Sequence, residues 1–185
     1  MAHIVRKAYS KRCAKNIHGH SYTLEVMLDT EPNYTFLDEA GMVIDFWKVK
    51  ELISDFIDSF DHSLMLWDIP EEKELIDFAV KNFDRVIIAP FNSTAEQMAR
   101  MFYEVIERLM PEWVDMLSCR VHETSTGYAE YFGTDDTGRI VDQDIVWFRK
   151  EAQMGGSKHL CFSDWIAEER KDKERPKKYA KNFTM

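Results

Sequence analysis

No apolar run in the 185-residue chain approaches the length that a helix needs to cross a bilayer, so a membrane-spanning role is excluded. No secretory leader is expected either. Residues 1–13 mix Arg and Lys with too few apolar side chains for a signal-peptide core, which predicts a cytoplasmic protein with reduced thiols. Cysteine is scarce: Cys13, Cys119 and Cys161 stand far apart with no C-x-x-C pair, which excludes a zinc ribbon or redox dithiol. Cations are outnumbered, and a formal charge of −9 repels a nucleic-acid backbone, so no nucleic-acid partner is expected. Internal repeats are absent.

What is present fits an ordinary soluble globular chain, with 45% hydrophobic and 31% charged residues. The length allows one domain with an appendage: residues 1–148 as the folded unit, and 149–185 as a charged, partly helical extension with an amphipathic piece around Trp165. Residues 21–28 alternate, placing Tyr22, Leu24, Val26 and Leu28 on one face of a strand, with His18 and His20 in the same phase. Asp45 can cap a helix whose apolar positions are Phe46, Val49, Leu52, Ile53, Phe56, Ile57 and Phe60. A short strand at 85–89 follows. Either Ser93 or Thr94 can cap a second helix carrying Ala95, Met98, Ala99, Phe102, Ile106 and Leu109, with Pro111 stopping it. Leu117, Cys119, Val121 and Glu123 then share a strand face, a turn near Gly127 leads into 128–132, and a last strand-like run covers 140–148. The order predicts an α+β fold, with helices on one side of a mainly antiparallel sheet.

His18-Gly19-His20 carries the first chemical signal. Residues two apart on a strand project from one face, so both imidazoles can reach one ion, and Gly19 permits a bend or a close approach. Catalytic zinc takes three protein ligands and leaves one position open, and His3 is the natural third donor. Cys13 stands among Lys11, Arg12 and Lys15, surroundings that favour a thiolate. Asp61-His62 sets a carboxylate beside an imidazole, an arrangement suited to moving protons near neutral pH. Glu123 ends an inward-facing apolar row with a carboxylate that needs a partner. A ligand edge with two adjacent N–H groups, an Arg or a backbone amide would each serve.

Together these residues resemble the 6-pyruvoyl-tetrahydropterin synthase and 6-carboxy-5,6,7,8-tetrahydropterin synthase family. The resemblance rests on Ala2-His3, Cys13 ahead of His18-Gly19-His20-Ser21-Tyr22, Gly41 to Phe46, Asp61-His62, Asn92 to Glu96 and Glu123-Thr124. It implies the tunnelling fold, an antiparallel sheet with two helices packed on one face, oligomerising into a barrel as a homohexamer of two trimers with active sites at subunit interfaces. It further implies Zn2+ on His3, His18 and His20, proton transfer by Cys13, Asp61 and His62, and a pterin held by Glu123 with Thr94 and Thr124. The implied substrate is 7,8-dihydroneopterin triphosphate. The expected product is 6-carboxy-5,6,7,8-tetrahydropterin, on a route to deazaguanines such as queuosine; the alternative is 6-pyruvoyl-tetrahydropterin formed by triphosphate elimination. Two rival readings are a non-catalytic pterin-binding module and a GTP cyclohydrolase-like enzyme, the latter needing cysteine among the metal ligands. The extension is expected to be dispensable for chemistry and to serve assembly or partner contact.

Overall fold

The structure is a computed structural model that describes residues 1–30, 40–133 and 140, and the backbone of 146–149 and 158–161. Its elements run β1 (Ala2–His3), α1 (Lys11–Lys15), β2 (His18–Gly19), β3 (Thr23–Thr30), α2 (Phe46–Asp58), β4 (Leu64–Trp67), a 3-10 turn (Pro70–Glu72), α3 (Lys73–Asn82), β5 (Arg85–Ala89), α4 (Ala95–Leu109), β6 (Val114–His122), β7 (Tyr128–Tyr131), β8 (Val146–Arg149) and β9 (Lys158–Cys161). Two sheets result. One is antiparallel, in the order β3-β6-β7, and the other is mixed, in the order β2-β1-β4-β5-β8-β9.

The antiparallel sheet packs against α2 and α4, as the apolar periodicity predicts. Phe56 of α2 and Phe60 just after it, Met98, Ala99, Phe102 and Ile106 of α4, and Cys119 and Val121 of β6 share one core with Tyr22, Leu24, Val26 and Leu28. Asp45 caps α2 by accepting from the Trp47 N–H at 2.7 Å. Of the two cap candidates for α4, Thr94 is the one used, accepting from the Gln97 N–H at 3.4 Å. The last helical turn ends at Met110, whose extended backbone is what the following Pro111 demands.

Three expectations need correction. Phe46 is not a core position: it opens α2 and is 85% exposed. Leu117 does not share the face of Cys119 and Val121. A β-bulge opposite Met27 and Leu28 gives β6 one extra residue, so Met116 pairs with Leu28 and Ser118 with Met27. The alternation therefore slips by one, with Val114 and Met116 buried before the bulge and Leu117 47% exposed. Finally, the sheet is not antiparallel throughout, because β4 runs parallel to both β1 and β5. The cause is α3, an unpredicted crossover helix between β4 and β5, which lets the two strands align in the same direction.

Both strands of that crossover are buried on two faces. Met65, Ile87 and Ala89 face the main core. Leu64, Leu66, Val86 and Ile88 face a second core with Ile76 and Ala79 of α3. Beyond β5 the sheet continues through β8 and β9, the latter lying within the 149–185 extension. The piece around Trp165 lies outside the described residues.

Candidate metal centre

β1 and β2 pair antiparallel, with His3 directly opposite His18 and Ala2 opposite Gly19. Cross-strand partners carry their side chains on one face about 4.5–5.5 Å apart at Cβ. His20 joins them after Gly19, its N–H donating to the Met1 carbonyl at 3.2 Å. Gly19 is needed here for close approach: a Cβ would stand 3.2 Å from the Met1 carbonyl oxygen. One ring nitrogen from each of the three histidines lies within 4.8 Å of the other two. His3 is wholly buried, while His18 and His20 are half-buried at the mouth.

The fit to a metal rests on the donor chemistry. His3 Nδ1 meets the Ser93 carbonyl at 2.7 Å, and His18 Nδ1 meets the Asn16 carbonyl at 3.0 Å. A carbonyl only accepts, so each Nδ1 carries the proton and each Nε2 is left with its lone pair. Such backbone tethers on the far nitrogen are the usual support of metal-ligating imidazoles. Burial pushes His3 below its ordinary pKa, with His18 and His20 adding to the effect against the opposing Ser93 carbonyl and Glu123. Its neutral, ligating form is thereby favoured. Ser93 and Asn16 escaped the sequence reading because a backbone carbonyl has no side-chain signature.

Glu123 stands beside the triad, with Oε1 3.6 Å from His3 Nε2 and 3.8 Å from His20 Nε2. Tyr22 donates its hydroxyl to the same oxygen at 3.4 Å. Burial first, and then the Glu123 charge, raise the Tyr22 pKa, so the phenol stays protonated and remains a donor. Of the partners open to Glu123 from sequence, none is found among the described residues; the Tyr22 phenol donates to it instead. His122, which precedes Glu123 at the end of β6, points away from the triad. It faces Glu25 at 3.3 Å and lines an outer cleft of about 330 Å³ with Ser21, Thr23 and Thr124.

The remaining candidates are more dispersed. Cys13 is half-buried on α1, in the link between the two histidine strands. Asp61 and His62 occupy the turn from α2 into β4, where His62 Nδ1 meets Asp61 Oδ2 at 2.9 Å. Both are exposed, and the His62 hydrogen bond holds the Asp61 carboxyl below its usual range. Their turn adjoins β1, since the Ala2 N–H donates to the Ser63 carbonyl at 2.8 Å. Among the described residues, no hydrogen bond or ion pair joins Cys13, the Asp61–His62 pair and the histidine triad. Thr94 caps α4 next to Ser93. The Thr124 hydroxyl accepts from the Gly127 N–H at 2.9 Å and so closes the β6–β7 turn.

A triad of imidazoles, two of them tethered for ligation by carbonyls, with a carboxylate beside it, defines an α+β protein with a candidate metal centre. The chain belongs to the 6-pyruvoyl tetrahydropterin synthase family, which it matches over residues 1–134, and it is an enzyme of that family. A 6-carboxy-5,6,7,8-tetrahydropterin synthase from Helicobacter pylori is 38% identical over 142 residues, covering 72% of this chain and 68% of that one. The enzyme of the same name from Aquifex aeolicus is 35% identical over 124 residues, covering 63% and 74%. Among solved structures, an uncharacterized protein from Wolinella succinogenes aligns with a TM-score of 0.58 at 19% identity, covering 71% of this chain and 92% of that one. The 6-pyruvoyltetrahydropterin synthase of Plasmodium vivax aligns with a TM-score of 0.50 at 16% identity, covering 70% and 87%. At such identities the two structures speak to the fold alone.

Proposed function

We propose that the protein is a zinc-dependent lyase that converts 7,8-dihydroneopterin triphosphate to 6-carboxy-5,6,7,8-tetrahydropterin. The observation that carries the proposal is the convergence of His3, His18 and His20 with Nδ1 of His3 and His18 engaged by carbonyls. The names of the Helicobacter and Aquifex relatives favour the carboxy product over the pyruvoyl one. Bound to the three imidazoles, zinc would supply a Lewis acid for oxygens of the substrate side chain.

The chain's own residues do the rest. Cys13 takes and returns the carbon-bound proton, and His62, oriented by Asp61, moves a proton at the side-chain hydroxyls. Glu123 accepts the paired N–H groups of the pterin edge, with Thr94 and Thr124 beside the ring. The exposure of Asp61 and His62 suits a site completed by a second copy of the chain, in a hexamer of two trimers. Residues 1–148 carry this chemistry, and 149–185 serve assembly or partner contact.

The test is incubation of zinc-loaded protein with 7,8-dihydroneopterin triphosphate, with products identified by mass. Acetaldehyde and the 6-carboxy product are expected. Triphosphate leaves in either reaction, so 6-pyruvoyl-tetrahydropterin in place of acetaldehyde and the 6-carboxy product would overturn the assignment of product, and no turnover with three imidazoles loaded would overturn the enzyme reading of the site.

A further inference from the structure

The helix that carries Cys13 has almost nothing to hold it. α1 is five residues long, buries none of them, and has no side-chain bond from its N-cap Ser10. Helices shorter than roughly 12–15 residues are marginal in water even with favourable sequences. What fixes α1 is a pair of tethers to the strand end beside it: the Val5 N–H donates to the Cys13 carbonyl at 3.2 Å, and Arg6 Nη1 donates to the Ala14 carbonyl at 3.0 Å. Both carbonyls belong to the thiol's own neighbourhood.

Arg6 is in turn locked. Its Nε donates to Glu72 Oε1, an ion pair in which Glu72 is wholly buried. Its backbone exchanges two bonds with Asn92, the Arg6 N–H to Asn92 Oδ1 at 3.1 Å and Asn92 Nδ2 to the Arg6 carbonyl. Asn92 precedes Ser93, whose carbonyl orients His3. One arginine thus connects the thiol helix, the buried carboxylate and the loop supporting a metal-ligand candidate. The arrangement is costly, since Glu72 Oε2 is buried with no hydrogen-bond partner among the described residues. A hydrophobic residue at the end of that 3-10 turn would cost less, so stability alone does not account for the charge.

We propose that Arg6 and Glu72 are positioning residues for Cys13: the buried carboxylate fixes the guanidinium so that its second arm holds the carbonyl end of α1 and thereby the thiol. The planar fork of arginine makes both bonds at once, whereas lysine offers one point charge and reaches only one. The proposal rests on the assignment of Cys13 as the proton-transferring thiol.

The test compares the full-length chain with Arg6→Lys and Glu72→Gln. Metal-free protein is alkylated with iodoacetamide, and the rate at Cys13 is read by peptide mass spectrometry. Cys119 serves as the internal reference, since it is fully buried and its thiol is pushed up to about 12. The kcat and KM for 7,8-dihydroneopterin triphosphate and the thermal midpoint are measured on the same preparations. Arg6→Lys is expected to shift the Cys13 alkylation rate by about threefold or more and to lower kcat about 10- to 100-fold with KM little changed, the scale of a displaced catalytic group. Glu72→Gln, which still accepts a weaker bond, is expected to move both readouts the same way by less. Alkylation or kcat staying within about twofold of wild type in Arg6→Lys, whatever the midpoint does, overturns the proposal. If that variant melts below the assay temperature, Glu72→Gln decides by the direction of both readouts. Wild-type turnover in Cys13→Ala would sink the role of the thiol instead, while the alkylation rates would still decide whether Arg6 and Glu72 hold α1.

Discussion

His62 has a backbone φ of +53°, in the left-handed region. For a residue with a Cβ this conformation costs about 1–2 kcal/mol, although histidine is found there more often than most. The chain needs the bend, because α2 ends at Asp58 and β4 begins at Leu64, leaving a short reversal between them. Glycine would make that bend at no steric cost, so the imidazole is kept for something other than the turn. His62→Gly is therefore expected to leave the unfolding free energy unchanged or raise it by up to ~1 kcal/mol, net of glycine's entropy in the unfolded chain, while abolishing turnover. Urea denaturation beside the product assay checks both halves; a fully active variant would remove His62 from the proton path. At this scale the sequence was most legible where ligand and spacing are side-chain properties. His18, Gly19 and His20 are local, and the register of β1 brings in His3. The Asn16 carbonyl is local but has no side-chain signature, while the Ser93 carbonyl and the Tyr22 hydroxyl on Glu123 depend on tertiary placement that no residue pattern encodes.

Among the elements, α2, α4, β3 and β5 were readable because each has one clear period or a bounded apolar run. α3 and β4 were not. Four apolar residues in a row, Leu64 to Trp67, have no alternation to detect, because the strand is buried on both faces between two cores. Leu117 shows how a single inserted residue defeats a period-two argument, and it also gives a test of the bulge. Met116 is 3% exposed and Leu117 is 47% exposed, although they are neighbours of similar size. Met116→Ala is expected to cost about 2–5 kcal/mol by removing core volume. Leu117→Ala is expected to stay within about 0.5 kcal/mol, as exposed positions do. A large loss in Leu117→Ala with little in Met116→Ala, read in denaturant titrations, would mean that the strand keeps an unbroken alternation and the bulge is misplaced.

At the scale of the whole molecule, the proposed assembly can be set against the distribution of charge. The first 24 residues hold Arg6, Lys7, Lys11, Arg12 and Lys15 with no Asp or Glu, in a chain of net charge −9. In the proposed assembly this basic segment bearing the thiol would meet a second copy whose remaining charge is acidic, and Asp61 and His62 sit exposed on the turn after α2. Complementary patches of this kind steer copies of a chain together in a fixed orientation. If the proton path is completed between copies, then Cys13→Ala and His62→Ala, each inactive alone, should restore turnover when unfolded together and reassembled. Every mixed interface that joins the intact thiol of one chain to the intact imidazole of the other is whole, which under random mixing is about a quarter of the sites. Activity should therefore rise from background toward that fraction of wild type after reassembly. Persistent inactivity after reassembly, with size-exclusion chromatography showing mixed oligomers of normal size, would place Cys13 and His62 in one chain's own site and require the α2–β4 turn to move toward α1.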